Sequence, residues 1–252
     1  HYPLRRQRQM CIRDSYYPGT NCEAETARAL ELVGFSTAVV PIAEAQRRDI
    51  EQSQLVMLAG GFSYGDYVMS GRLAQLVTQS QLGDALVRHH ERGGYTMGIC
   101  NGFQILTKLG LLPTASLIDN VSERFVCRWA QLNVVNPASP YLQGLPASFE
   151  LPVAHAEGRF VAPPGMAEQY VAQGLAALTY QDNYNGSQQA IAALQDATGR
   201  AFGLMPHPER FVFKRHHYDP DWSGNVGSGA AAEDVYGWGY GMFRSVAQAI
   251  AG

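Results

Sequence analysis

Apolar side chains over residues 22–33 recur at three- to four-residue spacing, with Thr20 or Asn21 placed to cap the start and Gly34 to stop the run. This pattern predicts a helix. A β-branched stretch over 36–42 follows. After a polar interval, Leu55-Val56-Met57-Leu58-Ala59 forms a continuous apolar run ended by Gly60-Gly61. Both stretches read as strands, the second apolar enough to be buried on both faces. A second helical pattern covers 73–92 and halts at Gly93-Gly94, a short apolar strand covers 95–99, and helical spacing resumes over 103–109. Strand alternating with helix predicts an α/β domain: a mostly parallel central sheet with helices on both faces and functional groups beyond the carboxyl ends of the strands.

After residue 111 the rhythm changes. Extended stretches at 125–135, 149–154, 190–194 and 201–205 predict additional mixed strands, 241–251 a closing helix, and the Gly/Ala/Ser-rich 223–232 a mobile loop. No internal repeat or low-complexity linker divides the chain, so 16–252 is expected to be one domain, a size that can bury a substantial core. Residues 1–15 are basic and lack both strand-like alternation and the apolar core of a signal peptide. They read as a non-native or disordered leader, the stretch Gln9-Met10-Cys11-Ile12-Arg13-Asp14-Ser15 resembling a translated library adapter, with the sheet's first strand expected to be missing.

Composition narrows the function. The 252 residues carry a formal charge of -3 and no dense Lys/Arg stretch in the body, which argues against nucleic acid or an anionic membrane as partner. Apolar runs are strand-sized, shorter than the ~20 residues a membrane helix needs. Cys11, Cys22, Cys100 and Cys127 have neither the density of a secreted disulfide scaffold nor the spacing of a zinc site. A cytoplasmic protein acting on a small molecule or with a protein partner, without a metal or cofactor of its own, is the expectation.

The chemistry centres on Gly98-Ile99-Cys100-Asn101-Gly102-Phe103-Gln104. A cysteine between two glycines, after a buried strand and before a helix, matches the nucleophile elbow of G-x-S-x-G with sulfur in place of oxygen. The unpaired N–H groups and positive dipole end of the helix favour a thiolate there. The Asn101 N–H is placed to donate to an oxyanion, and Gly60-Gly61-Phe62 can supply a second donor. Taken alone, the elbow fits a small buried cysteine at a strand–helix junction equally well. Cys22 and Cys127 read as such packing residues. Further on, Met205-Pro206-His207-Pro208-Glu209-Arg210 follows a strand, and its prolines hold His207 extended, so that His207 and Glu209 share a face. Cysteine, imidazole and carboxylate complete a Cys-His-acid set.

These motifs resemble the class I glutamine amidotransferases and, more narrowly, the glutaminase components of phosphoribosylformylglycinamidine synthases of purine biosynthesis. The blocks that carry the resemblance are Pro18-Gly19-Thr20-Asn21-Cys22, Gly60-Gly61-Phe62-Ser63-Tyr64-Gly65-Asp66-Tyr67, the elbow through Leu106, Ala154-His155-Ala156-Glu157-Gly158-Arg159, Asn185-Gly186-Ser187 and Pro206-His207-Pro208-Glu209-Arg210. The resemblance implies a flavodoxin-like fold and glutamine hydrolysis through a Cys100 thioester, with His207 as acid and base and Glu209 orienting it. It implies Gln104 as a substrate-holding residue, and a grip on glutamine from the loop 120–125, where Phe125 is the candidate. The ammonia would pass to a synthetase subunit that uses ATP and Mg2+, with a small accessory subunit. Ala156 and Tyr184 depart from the family pattern, which usually has Gly and Pro there, and 213–240 is longer than expected.

Other features admit two readings. His155-x-Glu157 repeats the H-x-E spacing and is either a communication site toward a synthetase or a structural pair. Asp66 and Tyr67 either line the pocket mouth or belong to an Asx turn. His216-His217 lacks a third ligand and reads as a solvated loop, while Trp222 and Trp238 read as packing anchors. A catalytically silent regulatory or binding subunit, and a cysteine peptidase or small-molecule hydrolase on a similar α/β scaffold, are the competing functions. The first is opposed by the intact triad and the second leaves the wider blocks unexplained.

Overall fold

The computed structural model describes residues 11–16, 21–61, 70–224 and 235–252, with side chains from residue 21 on except at 70–75. Five parallel strands lead the sheet. They are β1 (Cys11–Tyr16), β2 (Ser36–Pro41), β3 (Leu55–Leu58), β4 (Tyr95–Ile99) and, much later in the chain, β11 (Ala201–Leu204), in the spatial order β2-β1-β3-β4-β11. Four antiparallel strands extend it beyond β11: β10 (Ile191–Gln195), β9 (Ala176–Tyr180), β6 (Val126–Val134) and β7 (Ser148–His155). A separate hairpin-like pair joins β5 (Ser116–Ile118) to β8 (Arg159–Val161).

The burial of β3, β4, β10 and β11 follows from their composition: each is an apolar run, and β3, β10 and β11 are buried at every position. β7 alternates buried and half-buried residues, the signature of a strand with one face on the core. Helix α1 (Glu23–Leu32) links β1 to β2, and α2 (Arg47–Gln52) links β2 to β3 on the other side of β1. Right-handed crossovers in opposite directions put these helices on opposite faces. Accordingly α2 packs with α3 (Ser70–Glu91), α3 with α4 (Asn101–Leu109), and α1 with the closing α6 (Trp238–Ala251). The direction of the crossovers reverses between β1 and β3, and Gly60-Gly61 and Cys100 follow the neighbouring carboxyl ends of β3 and β4.

Three sequence expectations change. The first strand is present: Cys11–Tyr16 pairs with β2 on one side and β3 on the other, so the sheet begins at Cys11 and not after Tyr16. Arg13, Asp14 and Ser15 hide it from a hydrophobic pattern, because backbone pairing on both edges is what defines it. The short α5 (Met166–Ala172) and β9 have no predicted counterpart. And His217 is buried, not solvated, bonded through Nε2 to Glu150 Oε1 at 2.9 Å within a cluster of Trp129, Phe211, Tyr218 and Trp222. Trp222 and Trp238 pack edge to face at 5.4 Å, the anchoring expected of them. The 223–232 loop lies outside the described residues from 225 on, as do Phe62, Asp66 and Tyr67.

Candidate active site

Cys100 closes β4 and precedes α4 at φ 51°, a left-handed value that costs a non-glycine residue about 1–3 kcal/mol and is typical of functional positions. The strand holds it there, since the Cys100 N–H donates to Leu204 O at 2.7 Å and its carbonyl accepts from Gln104 N at 3.1 Å. The flanking glycines do more than permit the turn. A Cβ at Gly102 would run into the Leu58 carbonyl, and one at Gly98 would meet the Gly102 backbone, so both let α4 settle onto the ends of β3 and β4.

His207 follows β11, the neighbour of β4, and its N–H donates to Pro152 O of β7 at 2.8 Å. Its Nδ1 lies 2.6 Å from Glu209 Oε1, and the two side chains are 2% and 0% exposed. That separation defines the tautomer: Nδ1–H donates to the carboxylate and Nε2 is left for chemistry. Nε2 is buried and has no hydrogen-bond partner among the described residues, in the same cavity wall as Cys100. Burial alone would lower the pKa of His207, but the charges of Glu209 and Cys100 outweigh it and hold the pKa well above the ordinary value. Gly60 is what lets the ring approach, since a Cβ there would lie 2.9 Å from His207 Cε1.

These groups open onto a cavity of about 280 Å³ whose wall includes Gly61, Cys100, Gln104, Asp119, His155 and His207. Gln104 is fixed at both ends of its amide: Oε1 accepts from Asn101 Nδ2 at 2.9 Å and Nε2 donates to Glu157 O at 2.7 Å. Of the residues singled out from sequence, Cys100, Gln104, Gly61 and His207 meet at this wall, Glu209 stands behind His207, and Asn101 follows Cys100 as the buried first residue of α4. Phe125 does not join them. It leads into β6 with 49% of its surface exposed, because Val126 is the residue paired with His155 and the loop before it turns Asp119 toward the cavity.

The second H-x-E differs in every contact. His155 Nδ1 lies 3.1 Å from Asn120 Oδ1 and Nε2 lies 2.7 Å from the Tyr184 hydroxyl. Asn120 is oriented by its own Nδ2, which donates to His155 O and Arg124 O. His155 therefore donates from Nδ1 and accepts at Nε2 from Tyr184, a neutral ring. Burial, and secondarily the charge of His207, lower its pKa to about 4. Tyr184, a departure from the family pattern, is thus a direct partner of a cavity-wall imidazole.

Sequence reading misses Cys22. Its thiol is buried against His207, and a sulfur, a ring nitrogen and a carboxylate oxygen of Cys22, His207 and Glu209 lie within 4.8 Å of one another. Such a trio could ligate a metal, but Glu209 already accepts from the imidazole and Arg210 Nη2 lies 3.0 Å from the Cys22 sulfur. A second positive charge there would be repelled, so the trio is better described as a hydrogen-bonded cradle for His207. The only trace in the sequence is Cys22's place in the Pro18–Cys22 block.

Residues 11–247 match the sequence profile of the CobB/CobQ-like glutamine amidotransferase domain. The phosphoribosylformylglycinamidine synthase subunit PurQ of Cereibacter sphaeroides is 40% identical over 198 residues, 78% of this chain and 86% of that protein. The chain belongs to the PurQ family of glutamine amidotransferases. Its PurQ-family relative in Thermotoga maritima is 37% identical over 198 residues, 78% of this chain and 85% of that protein. A chain of the solved Thermotoga maritima PurLQS structure superposes with a TM-score of 0.75 at 30% identity, covering 96% of this chain and 99% of that one. A glutamine amidotransferase from the same organism shares the fold at a TM-score of 0.54 and 17% identity, over 82% of this chain and 79% of that one. No helix among the described residues of this PurQ-family chain is long and apolar enough to cross a membrane.

Proposed function

We propose that the chain is the glutaminase subunit of a phosphoribosylformylglycinamidine synthase and that Cys100, His207 and Glu209 carry the hydrolysis. Family membership makes it a glutamine amidotransferase of purine biosynthesis. The observation that carries the residue assignment is the 2.6 Å His207–Glu209 pair, with the opposite ring nitrogen left unbonded beside Cys100. The Cys100 sulfur attacks the side-chain amide carbon of glutamine, forming the C–S bond. The oxyanion takes donors from the backbone N–H groups of Gly61 and Asn101. His207 passes a proton from Nε2 to the amide nitrogen, the C–N bond breaks and ammonia leaves. Water then attacks the γ-glutamyl thioester while His207 takes its proton, and cleavage of the C–S bond releases glutamate. Glu209 keeps the ring oriented and stabilises its cationic form. Gln104, clamped at both ends of its amide, presents a rigid wall to the substrate.

Ammonia released into neutral water is protonated and no longer nucleophilic, so the product is expected to pass directly to a partner. The Thermotoga maritima chain that superposes on this one comes from a PurLQS structure, which supports such an assembly. A synthetase subunit that uses ATP and Mg2+, together with a small accessory subunit, fits that role, and the cytoplasm is the compartment that suits it. The test is glutamate release from glutamine, alone and with the synthetase. Weak activity alone, a rise with the partner and none in Cys100→Ala are expected. Undiminished release by Cys100→Ala would reject the mechanism.

A further inference from the structure

A second cavity lies on the far side of the triad from Cys100. It has a volume of about 480 Å³, and Glu209 and Arg210 form part of its wall. One side is a stripe of α1, Glu25, Arg28, Ala29 and Leu32, whose spacing puts them on one helical face. The other side is the segment after the triad, where Val212, Phe213 and Arg215 supply an apolar floor and a further cation.

The charges there do not cancel. Arg210 is neutralised by Glu25, with Nε 3.1 Å from Oε1. Arg28 donates only to the Ala24 carbonyl, and Arg215 lies over the Phe213 ring at 4.2 Å; neither has a carboxylate partner among the described residues. His216 adds no charge near neutrality, because burial and the neighbouring Arg215 lower its pKa. The carboxylates of the wall are already engaged, Glu25 with Arg210 and Glu209 with His207, which leaves the guanidiniums of Arg28 and Arg215 without an ion pair among the described residues at a partly open cavity. Planar, forked donors of this kind match phosphate oxygens, and a volume of a few hundred Å³ with an aromatic wall suits a small ligand.

We propose that this cavity binds a small phosphomonoester, held by Arg28 and Arg215 at its phosphate and by Leu32, Val212 and Phe213 along its apolar part. The bound anion reaches the triad by a short route. Arg210 lines both cavities and holds Glu25 and the Cys22 sulfur, while Glu209 separates the new site from His207. A negative charge here competes with Glu25 for Arg210, which also holds the Cys22 sulfur beside His207, so occupancy alters the reactivity of Cys100.

The test uses the full chain with two probes, inorganic phosphate and adenosine 5′-monophosphate, titrated calorimetrically at constant ionic strength. Saturable binding is expected, tighter for the monophosphate because of the apolar wall. It should weaken at least tenfold in Arg28→Ala/Arg215→Ala and stay within twofold in Cys100→Ala. Both arginines are exposed, so the double variant should fold, and its glutaminase activity without ligand should match the native chain. In parallel, saturating phosphate should change the rate of Cys100 alkylation by iodoacetamide at least twofold in the native chain and leave the double variant unchanged. Absence of saturable binding, or equal binding by the double variant, would overturn the site. An alkylation rate insensitive to phosphate would overturn its link to the triad.

Discussion

His207-Pro208-Glu209 and His155-Ala156-Glu157 have the same spacing and their imidazoles share one cavity wall, yet they occupy opposite electrostatic states. In the first, proline-restricted backbone delivers the carboxylate to Nδ1 at 2.6 Å, and the ring is biased toward its cation. In the second, Gly158 folds tightly against the ring, and both nitrogens are taken by neutral groups, Asn120 and Tyr184. A motif of two residue types at fixed spacing therefore says little about protonation. What matters is which atoms complete the ring's hydrogen bonds.

The largest expected effect comes from removing each imidazole in turn. His207→Ala should lower kcat for glutamine hydrolysis by about 10³-fold or more, the scale seen when a triad base is lost. His155→Ala should stay within about tenfold, with the change mainly in KM, because its ring forms wall and not base. Equal losses in kcat would erase the distinction. Next in size is the carboxylate pair: Glu209→Gln should cost about 10²-fold or more in kcat, since a neutral amide no longer stabilises the imidazolium. Glu157→Gln should cost far less, since both His155 ring nitrogens are taken by Asn120 and Tyr184 and not by this carboxylate.

Stability against pH sharpens the comparison further. With a folded pKa of about 4 against the ordinary 6.5, His155 takes up its proton more readily in the unfolded chain. Its contribution is complete above pH 6.5 and is lost as pH falls toward 4, amounting to roughly 3 kcal/mol. Denaturant titrations of the native chain and His155→Gln across that window should diverge, the variant having the flatter profile; parallel curves would contradict the neutral-ring description. The smallest effect belongs to Tyr184→Phe, which removes the donor to Nε2. About 1 kcal/mol of stability should go with it, and the His155 pKa, read by NMR titration, should rise.

Which parts of the molecule are legible in the chain follows from the kind of force involved. β3, β4 and β11 are continuous apolar runs beside glycines, so burial writes them directly into the sequence, and Cys100 and His207 stand out because they end such runs. β1 escapes a hydrophobic pattern because paired backbone, not side-chain hydrophobicity, defines it. Cys22 reads as a packing residue because nothing local signals that a neighbour 185 positions away in the chain is a catalytic imidazole. Asn120 and Tyr184 gain their roles around His155 in the same long-range way.

Cys100 and His207 also follow the carboxyl ends of adjacent parallel strands, in a register where Ile99 faces Leu204. The segments that carry the sulfur and the imidazole are thus anchored on two buried strands about 4.8 Å apart. Such strands exchange their amide hydrogens only when the whole domain opens. On heating, catalytic competence should therefore fail in step with global melting, and fraying of the periphery should leave the reacting atoms aligned until the domain itself comes apart.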